Sequence, residues 1–110
     1  MMERGLANPQ AKNFYVDVSW IELAKYIVAT PESTGAMADL INRYPDRFLF
    51  GTDEVAPADQ ASYLKIVEVY QPLFARLTPE AKQKLLKGNY ERLFDEARRK
   101  VRAWEAAHVK

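Results

Sequence analysis

The sequence predicts an α/β fold in which two parallel strands are accompanied by a mostly helical remainder. Residues 13–20, NFYVDVSW, alternate between apolar and other side chains, as a half-buried strand does. Residues 47–50, RFLF, are a second short run rich in aromatic and branched side chains. Two segments with helical spacing separate the runs. Because a crossover of this length joins parallel strands, we expect a right-handed βαβ unit.

The first strand has one apolar and one mixed face. The apolar positions are Phe14, Val16, Val18 and Trp20, and the others are Tyr15, Asp17 and Ser19. Ser19 and Glu22 have the spacing of a capping box, which predicts a short helix over Ile21–Ala29. Two interpretations of Asp17 and Ser19 stay open: they are functional groups at a strand end, or Ser19 caps the helix and Asp17 is its polar neighbour.

The second helix of the crossover has clear start and stop signals. Thr30 is a good N-cap, and Pro31 suits the first helical position. Apolar residues recur at helical spacing at Met37, Leu40, Ile41 and Tyr44. Because proline cannot continue a helix, Pro45 predicts that the helix covers Pro31–Arg43.

Asp53 is the candidate site residue on the second strand. Side chains alternate along a strand, so Leu49, Gly51 and Asp53 share one face, with Asp53 at the carboxyl end. In parallel α/β folds that end gathers ligands and catalytic groups. The competing interpretation is an acidic residue that ends a strand and caps a turn, and these residues alone do not decide between the two.

The chain after Pro57 is predicted to be helical. A helix over Ala58–Tyr70 with Leu64, Ile66 and Val67 inward is kinked or restarted by Pro72. Thr78-Pro79-Glu80 begins a helix that ends at Gly88 as a left-handed C-cap, and Asn89 caps the last helix.

The last helix is predicted to have an inward apolar stripe, which consists of Tyr90, Leu93, Phe94, Ala97, Val101 and Trp104. The opposite, basic face is interrupted by acidic residues, which favours a solvated surface over a nucleic-acid or membrane site.

Composition limits the function further. The 110 residues, 48% of them hydrophobic, suffice for one domain, and the formal net charge of +1 gives no reason to expect nucleic acid as a partner. The absence of cysteine excludes disulfides and thiolate sites. No apolar stretch approaches the roughly 20 residues of a membrane span. We therefore expect a cytoplasmic protein with no membrane contact. Residues 1–12 show no periodicity, and we expect them to be a loop or frayed N-terminus.

Three segments together resemble a known family. The strand NFYVDVSW, the strand YPDRFLFGTD and the helix start GNYERLFDEA follow one another as in the C-terminal quarter of the amidohydrolase superfamily. The similar branch is the amidohydrolase-related one that includes aminocarboxymuconate-semialdehyde decarboxylase. The resemblance implies that residues 13–110 are the last two β/α units of a (β/α)8 barrel. It also implies that Asp53 is a catalytic residue and a ligand of a divalent metal, usually zinc.

The sequence departs from the family pattern in its histidines. The family supplies a His-x-His pair and two further histidines, whereas this chain has one, His108, near its C-terminus. We therefore expect an incomplete barrel, inactive and metal-free in isolation, whose partner is the missing N-terminal barrel portion or a second copy in a homo-oligomer. The alternative is a small helical protein-interaction module without catalysis. The strand face with Leu49, Gly51 and Asp53 favours the incomplete barrel, because a binding module gains nothing from an acidic residue at the end of a buried strand.

Overall fold

The computed structural model describes residues 2–110 and contains two strands and a helical remainder. The strands are β1 (Val16–Val18) and β2 (Phe48–Phe50), and the helices are α1 (Met2–Ala7), α2 (Ile21–Ile27), α3 (Pro31–Arg43), α4 (Gln60–Val69), α5 (Gln71–Phe74), α6 (Pro79–Gln83) and α7 (Asn89–His108). A 3₁₀ turn (Pro45–Arg47) precedes β2, and a π-helical turn (Lys84–Gly88) joins α6 to α7. The predicted order of strand, two helices and strand is confirmed.

The two strands pair in parallel, as predicted, with Val16 opposite Phe48 and Val18 opposite Phe50. Both strands are shorter than the sequence pattern suggested, because each has a single partner strand in the part of the chain that the structure describes. Val18 and Phe48 are fully buried. Asp17 lies opposite Leu49 in the register and is exposed, so the sheet has one covered and one open face. A mostly helical α/β chain with two parallel strands is compatible with part of a (β/α)8 barrel.

Helices cover the apolar face of the sheet. Phe50 makes edge-to-face contacts with Tyr70 and Phe74, at centroid distances of 4.9 and 5.2 Å. Such aromatic pairs contribute roughly 0.5–1.5 kcal/mol beyond area burial. Further buried side chains come from the crossover helices and the C-terminal half: Ala24, Ile27, Ala38, Ile41, Ile66, Leu73, Ala81 and Leu85. This core fixes where the carboxyl ends of the strands lie.

The start signals with threonine and proline are confirmed, and the capping box at Ser19 is wrong. Thr30 accepts a hydrogen bond from the Ser33 amide at 3.0 Å, and Thr78 accepts one from the Ala81 amide at 3.1 Å. Trp20, not Ser19, precedes α2, with φ 82° and no side-chain cap. The Ser19 hydroxyl instead donates to the Asp17 carboxylate, which competes for it within two residues. α2 also ends at Ile27, two residues earlier than predicted.

Residues 1–12 are not simply a loop, because α1 forms within them. Leu6 is buried against the core, and Arg43 of α3 forms an ion pair with Glu3 at 2.9 Å. Arg47 donates to the carbonyl oxygens of Ala11 and Phe14, which ties the following segment to β2. The local periodicity of a sequence carries no information about long-range contacts of this kind. For this reason the sequence analysis predicted a loop where α1 forms. Met1 lies outside the described residues.

The helix after β2 also differs from the sequence pattern in detail. α4 starts at Gln60, after Asp59 accepts a hydrogen bond from the Ser62 amide at 2.7 Å. Ile66 is buried as predicted, whereas Leu64 is 46% exposed. Pro72 restarts the chain as the short helix α5, which is one of the two outcomes that the sequence left open. The helical region after Pro57 therefore packs on the sheet through Tyr70, at the junction of α4 and α5, and through Phe74 of α5.

The break predicted at Gly88 is absent. Gly88 has φ −59°, so it is helical rather than a left-handed cap, and the π-helical turn continues directly into α7. Asn89 does not cap α7 with its side chain. It is buried and donates from Nδ2 to the carbonyl oxygens of Pro45 and Phe48, at 2.7 and 2.8 Å. The side-chain amide that the sequence assigned to a cap thus binds one buried and one partly buried carbonyl oxygen.

The apolar stripe of α7 does not face the core. Phe94, Val101 and Trp104 are 66%, 53% and 59% exposed, and Asn89 is the one buried residue of this fully described helix. The prediction that this stripe faces inward is therefore wrong for these three residues. α7 makes its main contacts with the π-helical turn and β2.

The basic residues of α7 are solvated, as predicted. Arg98, Arg99, Lys100 and Arg102 are all exposed, and Arg102 forms an ion pair with Glu105 at 2.7 Å. Within residues 2–110, none of the helices combines the length and apolarity that a membrane crossing needs.

Candidate functional site

Asp53 lies in the loop that follows the carboxyl end of β2. The strand ends at Phe50, and Asp53 is exposed with φ 51°, a left-handed conformation that aspartate tolerates better than most residues. The strict alternation expected for Leu49, Gly51 and Asp53 therefore stops before Asp53. The residue is nevertheless at the end of the parallel pair where the sequence placed it.

The loop itself gives Asp53 no structural partner among the described residues. Thr52 Oγ1 accepts from the Glu54 amide at 3.4 Å, and Asp59 caps α4. Within residues 2–110, the Asp53 carboxylate makes no hydrogen bond or ion pair. The loop contacts that a capping aspartate would make are thus made by Thr52 and Asp59, which leaves the Asp53 carboxylate available to a ligand.

Four residues meet at the carboxyl ends of the two strands. Ser19 donates to Asp17, and the Gly51 amide donates to the Val18 carbonyl at 3.2 Å, which extends the parallel pairing by one bond. A Cβ placed on Gly51 would stand 2.7 Å from Ser19 Oγ and 3.9 Å from the Tyr90 hydroxyl. Glycine is required for this close approach. Asp17, Ser19, Gly51 and Tyr90 therefore form a polar cluster, with Asp53 two residues further along the chain.

The structure brings Asp17 and Ser19 to this cluster, so the functional interpretation of these two residues is compatible with their position. It adds Tyr90, which the sequence pattern assigned to a buried stripe. Tyr90 follows the buried Asn89, whose contact with the Phe48 carbonyl anchors the start of α7 beside β2. No local signal marks Tyr90, because its position depends on a contact 41 residues away in the chain.

Two tyrosine hydroxyls near the cluster stay protonated well above neutral pH. Burial raises the pKa of Tyr70 to about 12, and the negative charge of Asp17 adds to the effect. The pKa of Tyr90 is raised by the same two causes in the same order. The Tyr70 hydroxyl donates to the Trp20 carbonyl at 2.8 Å. Both phenols are therefore hydrogen-bond donors beside a carboxylate, not bases.

The raised pKa of Tyr70 predicts a loss of stability in alkali. The unfolded chain releases the phenol proton near its ordinary pKa of 10.0, whereas the folded chain holds it to about 12. Below pH 10 both states keep the proton, and between the two values ionisation favours the unfolded state. We expect urea unfolding to show stability falling over this window. The fall should be less steep in Tyr70→Phe and unchanged in Tyr26→Phe, whose side chain is 76% exposed. If stability falls equally steeply with pH in the wild type, Tyr70→Phe and Tyr26→Phe, the raised pKa of Tyr70 does not cause the loss.

The donor set does not by itself fit a zinc ion. A catalytic zinc site takes about three protein ligands and keeps one open position. Among residues 2–110, histidine, aspartate and glutamate side chains nowhere gather in a group of three or more that could hold a metal. His108 lies at the end of α7, where its Nδ1 is 2.8 Å from the Trp104 carbonyl oxygen and its ring stacks on Trp104. Any metal at Asp53 would need ligands from outside these residues.

A family model described as Amidohydrolase matches residues 6–95. Because the match covers most of the chain, the protein is a member of the amidohydrolase family. The search of curated proteins found no match, and the search of solved structures found none either. The matched range includes both strands, Asp53 and Tyr90.

Proposed function

We propose that this chain supplies the carboxyl-terminal part of a metal-dependent hydrolase or decarboxylase of the amidohydrolase family. The observation that carries the proposal is the unpartnered Asp53 carboxylate at the carboxyl end of a parallel strand pair, in a chain that matches the family. Catalytic residues of (β/α)8 barrels come from this end of the strands. In this proposal the two strands of the chain are the last two of the barrel.

Asp53 would be the metal ligand and proton acceptor that this segment contributes. A carboxylate oxygen is a suitable ligand for a divalent ion such as zinc, and aspartate is ionised at neutral pH. The remaining ligands would come from the other strands of the barrel. The chain alone would therefore be inactive, and its partner would be that N-terminal barrel portion. The Tyr90 hydroxyl would face a substrate as a neutral donor.

A second candidate function is a small protein-interaction module without catalysis. The exposed stripe on α7 favours it, because monomeric proteins rarely leave a row of large apolar side chains in water. The two functions make different demands on Asp53. A metal site depends on its carboxylate, whereas an interaction through α7 does not.

Zinc binding tests the first proposal. Alone, the chain should bind zinc no more tightly than scattered surface carboxylates do, and Asp53→Asn should not change the titration. Mixed with a barrel portion that carries strands one to six of a family member, it should bind one zinc ion per complex. In that complex Asp53→Asn should weaken zinc binding by roughly tenfold or more, as ligand and supporting residues of metal sites typically do.

Glu54→Gln is the matched control, since Glu54 is the next acidic residue of the same exposed loop. It should leave zinc binding of the complex unchanged. Isothermal titration calorimetry measures the stoichiometry and affinity of zinc binding for the wild type and both variants, each alone and in the complex. Equal effects of the two substitutions in the complex, or a tight zinc site in the isolated chain that Asp53→Asn abolishes, would defeat the proposal.

A further inference from the structure

Trp20 lies at the carboxyl end of β1, directly after Ser19 of the polar cluster and before α2, and its side chain is 54% exposed. Strict alternation along the strand would put Trp20 on the covered face with Val18, which is fully buried. The chain leaves that alternation at Trp20, where φ is 82° and ψ is 133°. The indole is therefore in water, although the sequence pattern assigned it to the apolar face of the strand.

The conformation and exposure of Trp20 both oppose the stability of the fold. A bulky residue rarely adopts a positive φ, because its Cβ crowds the backbone. An indole left in water also forgoes the free energy that burial would supply. Within residues 2–110, the Trp20 side chain makes no hydrogen bond that caps α2 and offsets these losses. Residues in such conformations cluster at ligand sites, so both features indicate a role in binding.

The other non-glycine residues with a positive φ lie at the same end of the sheet. Among residues 2–110 they are Asp53, with φ 51°, and Ala56, with φ 53°, both in the loop after β2. Trp20 is in the loop after β1, so all three belong to the loops at the carboxyl ends of the strands. In the proposed function the substrate binds at this end. The unusual backbone conformations of the described chain therefore surround that place.

Tyr70 holds the backbone of Trp20 from the core. Its hydroxyl donates to the Trp20 carbonyl oxygen at 2.8 Å, and the Ala24 amide donates to the same oxygen at 3.1 Å. Tyr70 is fully buried, and its ring packs on Phe50 at a centroid distance of 4.9 Å. A donor anchored in the core therefore fixes the backbone of a residue whose side chain is in water.

We propose that Trp20 is a specificity-determining residue whose indole packs on an apolar group of the substrate, and that Tyr70 is the positioning residue that holds it there. The inference rests on the proposed function, because it takes the carboxyl ends of the strands as the place where the substrate binds. An indole offers a large, rigid apolar surface for such a contact. Trp20 would contact the part of the substrate that does not react, next to the loop that carries Asp53. The competing explanation is that the N-terminal barrel portion covers Trp20, and the experiments below separate the two.

Tyr70→Phe tests the hold on Trp20 in the full chain alone. With Trp104→Phe as the background, Trp20 is the one tryptophan of the sequence, so fluorescence anisotropy reports its motion. Tyr70→Phe should lower the anisotropy, because the ring stays in the core while the Trp20 carbonyl loses its donor. Tyr44→Phe is the control, since it removes the hydroxyl of a partly buried tyrosine that packs on the same core. Equal anisotropy in these two variants would overturn the positioning role of Tyr70.

Two substitutions of Trp20 test the strain in its backbone. Glycine is normally the less stable choice, because it loses more conformational freedom on folding than alanine does. At a φ of 82° the order should reverse, since glycine has no Cβ to crowd the backbone. We therefore expect Trp20→Gly to melt at a higher temperature than Trp20→Ala. The usual order of the two would show that Trp20 is not held under strain.

Fluorine NMR tests the contact with the substrate in the zinc-loaded complex with a barrel portion that carries strands one to six. Fluorotryptophan incorporated into this chain alone gives one signal each for Trp20 and Trp104, and the solvent isotope shift of a signal measures its exposure to water. Trp20 should stay exposed on assembly and become shielded when benzohydroxamate, a metal-binding probe with an apolar ring, is added. Trp104, which lies beyond the family match, should stay exposed throughout. Shielding of Trp20 by assembly alone would mean that the partner covers it, and the proposal would fail.

Affinity for two probes measures the contribution of the indole. The wild-type complex should bind benzohydroxamate more tightly than acetohydroxamate, which has a methyl group in place of the ring. Trp20→Ala should reduce this preference by roughly tenfold, as removal of a central tryptophan from a binding site typically does. Trp104→Ala should leave it unchanged. An unchanged preference in a zinc-loaded Trp20→Ala complex would overturn the role of Trp20 alone, whereas a wild-type complex that binds no zinc would overturn the proposed function itself.

Discussion

Phe48→Ala is expected to unfold the chain or nearly so, whereas Phe94→Ala should leave it folded. Phe48 opens β2 and is fully buried, while Phe94 is 66% exposed. Truncating a buried phenylalanine costs about 3–5 kcal/mol. Domains of this size have a free energy of unfolding of about 5–15 kcal/mol, so one such change removes a large part of it. Phe94 stacks on Tyr90 at a centroid distance of 6.1 Å, and the loss of that contact should cost about 1 kcal/mol or less.

Thermal melting followed by circular dichroism measures both variants. The comparison is made at low protein concentration, so that association between chains does not contribute to the measured stability. From the apolar spacing of α7 alone the opposite ranking follows, with Phe94 as a core residue. A larger loss in Phe94→Ala than in Phe48→Ala would show that α7 packs against the chain in a way that the structure does not describe.

Asn89→Ala is expected to have the second largest effect. Its buried amide donates to two carbonyl oxygens, of Pro45 and of Phe48. Alanine leaves both acceptors without this donor, and an unsatisfied buried polar group costs about 1–3 kcal/mol. The substitution also frees the start of α7 from β2, so Tyr90 should lose its fixed position beside Gly51. We expect a melting temperature lower by about 10 °C or more, since 1 kcal/mol corresponds to about 4–8 °C in a domain near this size.

Asn42→Ala is the matched control for that substitution. Asn42 also makes two side-chain hydrogen bonds, donating to the Arg76 carbonyl at 3.1 Å and accepting from the Thr78 amide at 2.9 Å. These bonds are exposed, so water can replace the lost amide. Asn42→Ala should therefore cost much less than Asn89→Ala. Similar losses in the two variants would show that the contacts of Asn89 are no better shielded from water than those of Asn42.

Much of the fold follows from local sequence signals. Thr30 and Thr78, each followed by proline, mark helix starts at the residues where the structure has them. The strands are predictable because β-branched and aromatic residues cluster at Val16–Val18 and Phe48–Phe50, and the crossover between them requires a parallel pair. Capping and strand propensity depend on residues within a few positions of one another. For that reason the sequence alone could assign these two helix starts and both strands.

The sequence also identified Asp53 and the family, through a strand and a helix start at a fixed order and distance. Asp53 follows the carboxyl end of β2, but it lies in a loop and not on the strand face that the sequence predicted. Its role as a metal ligand stays a prediction, because the ligands that would complete a site are not among residues 2–110. A motif specifies which residue a family uses, whereas a metal site also depends on groups brought together by the whole fold.

Tertiary structure alone decided what Ser19, Asn89 and the apolar side chains of α7 contact. Ser19 and Asn89 are both good caps by type, but each has a stronger competing partner. Ser19 donates to the Asp17 carboxylate, and Asn89 donates to one buried and one partly buried carbonyl oxygen. Spacing shows that α7 has an apolar face, and it does not show what covers that face. Burial depends on which surfaces meet in three dimensions. In this chain Tyr70 and Phe74 pack on Phe50, whereas Phe94, Val101 and Trp104 of α7 stay exposed.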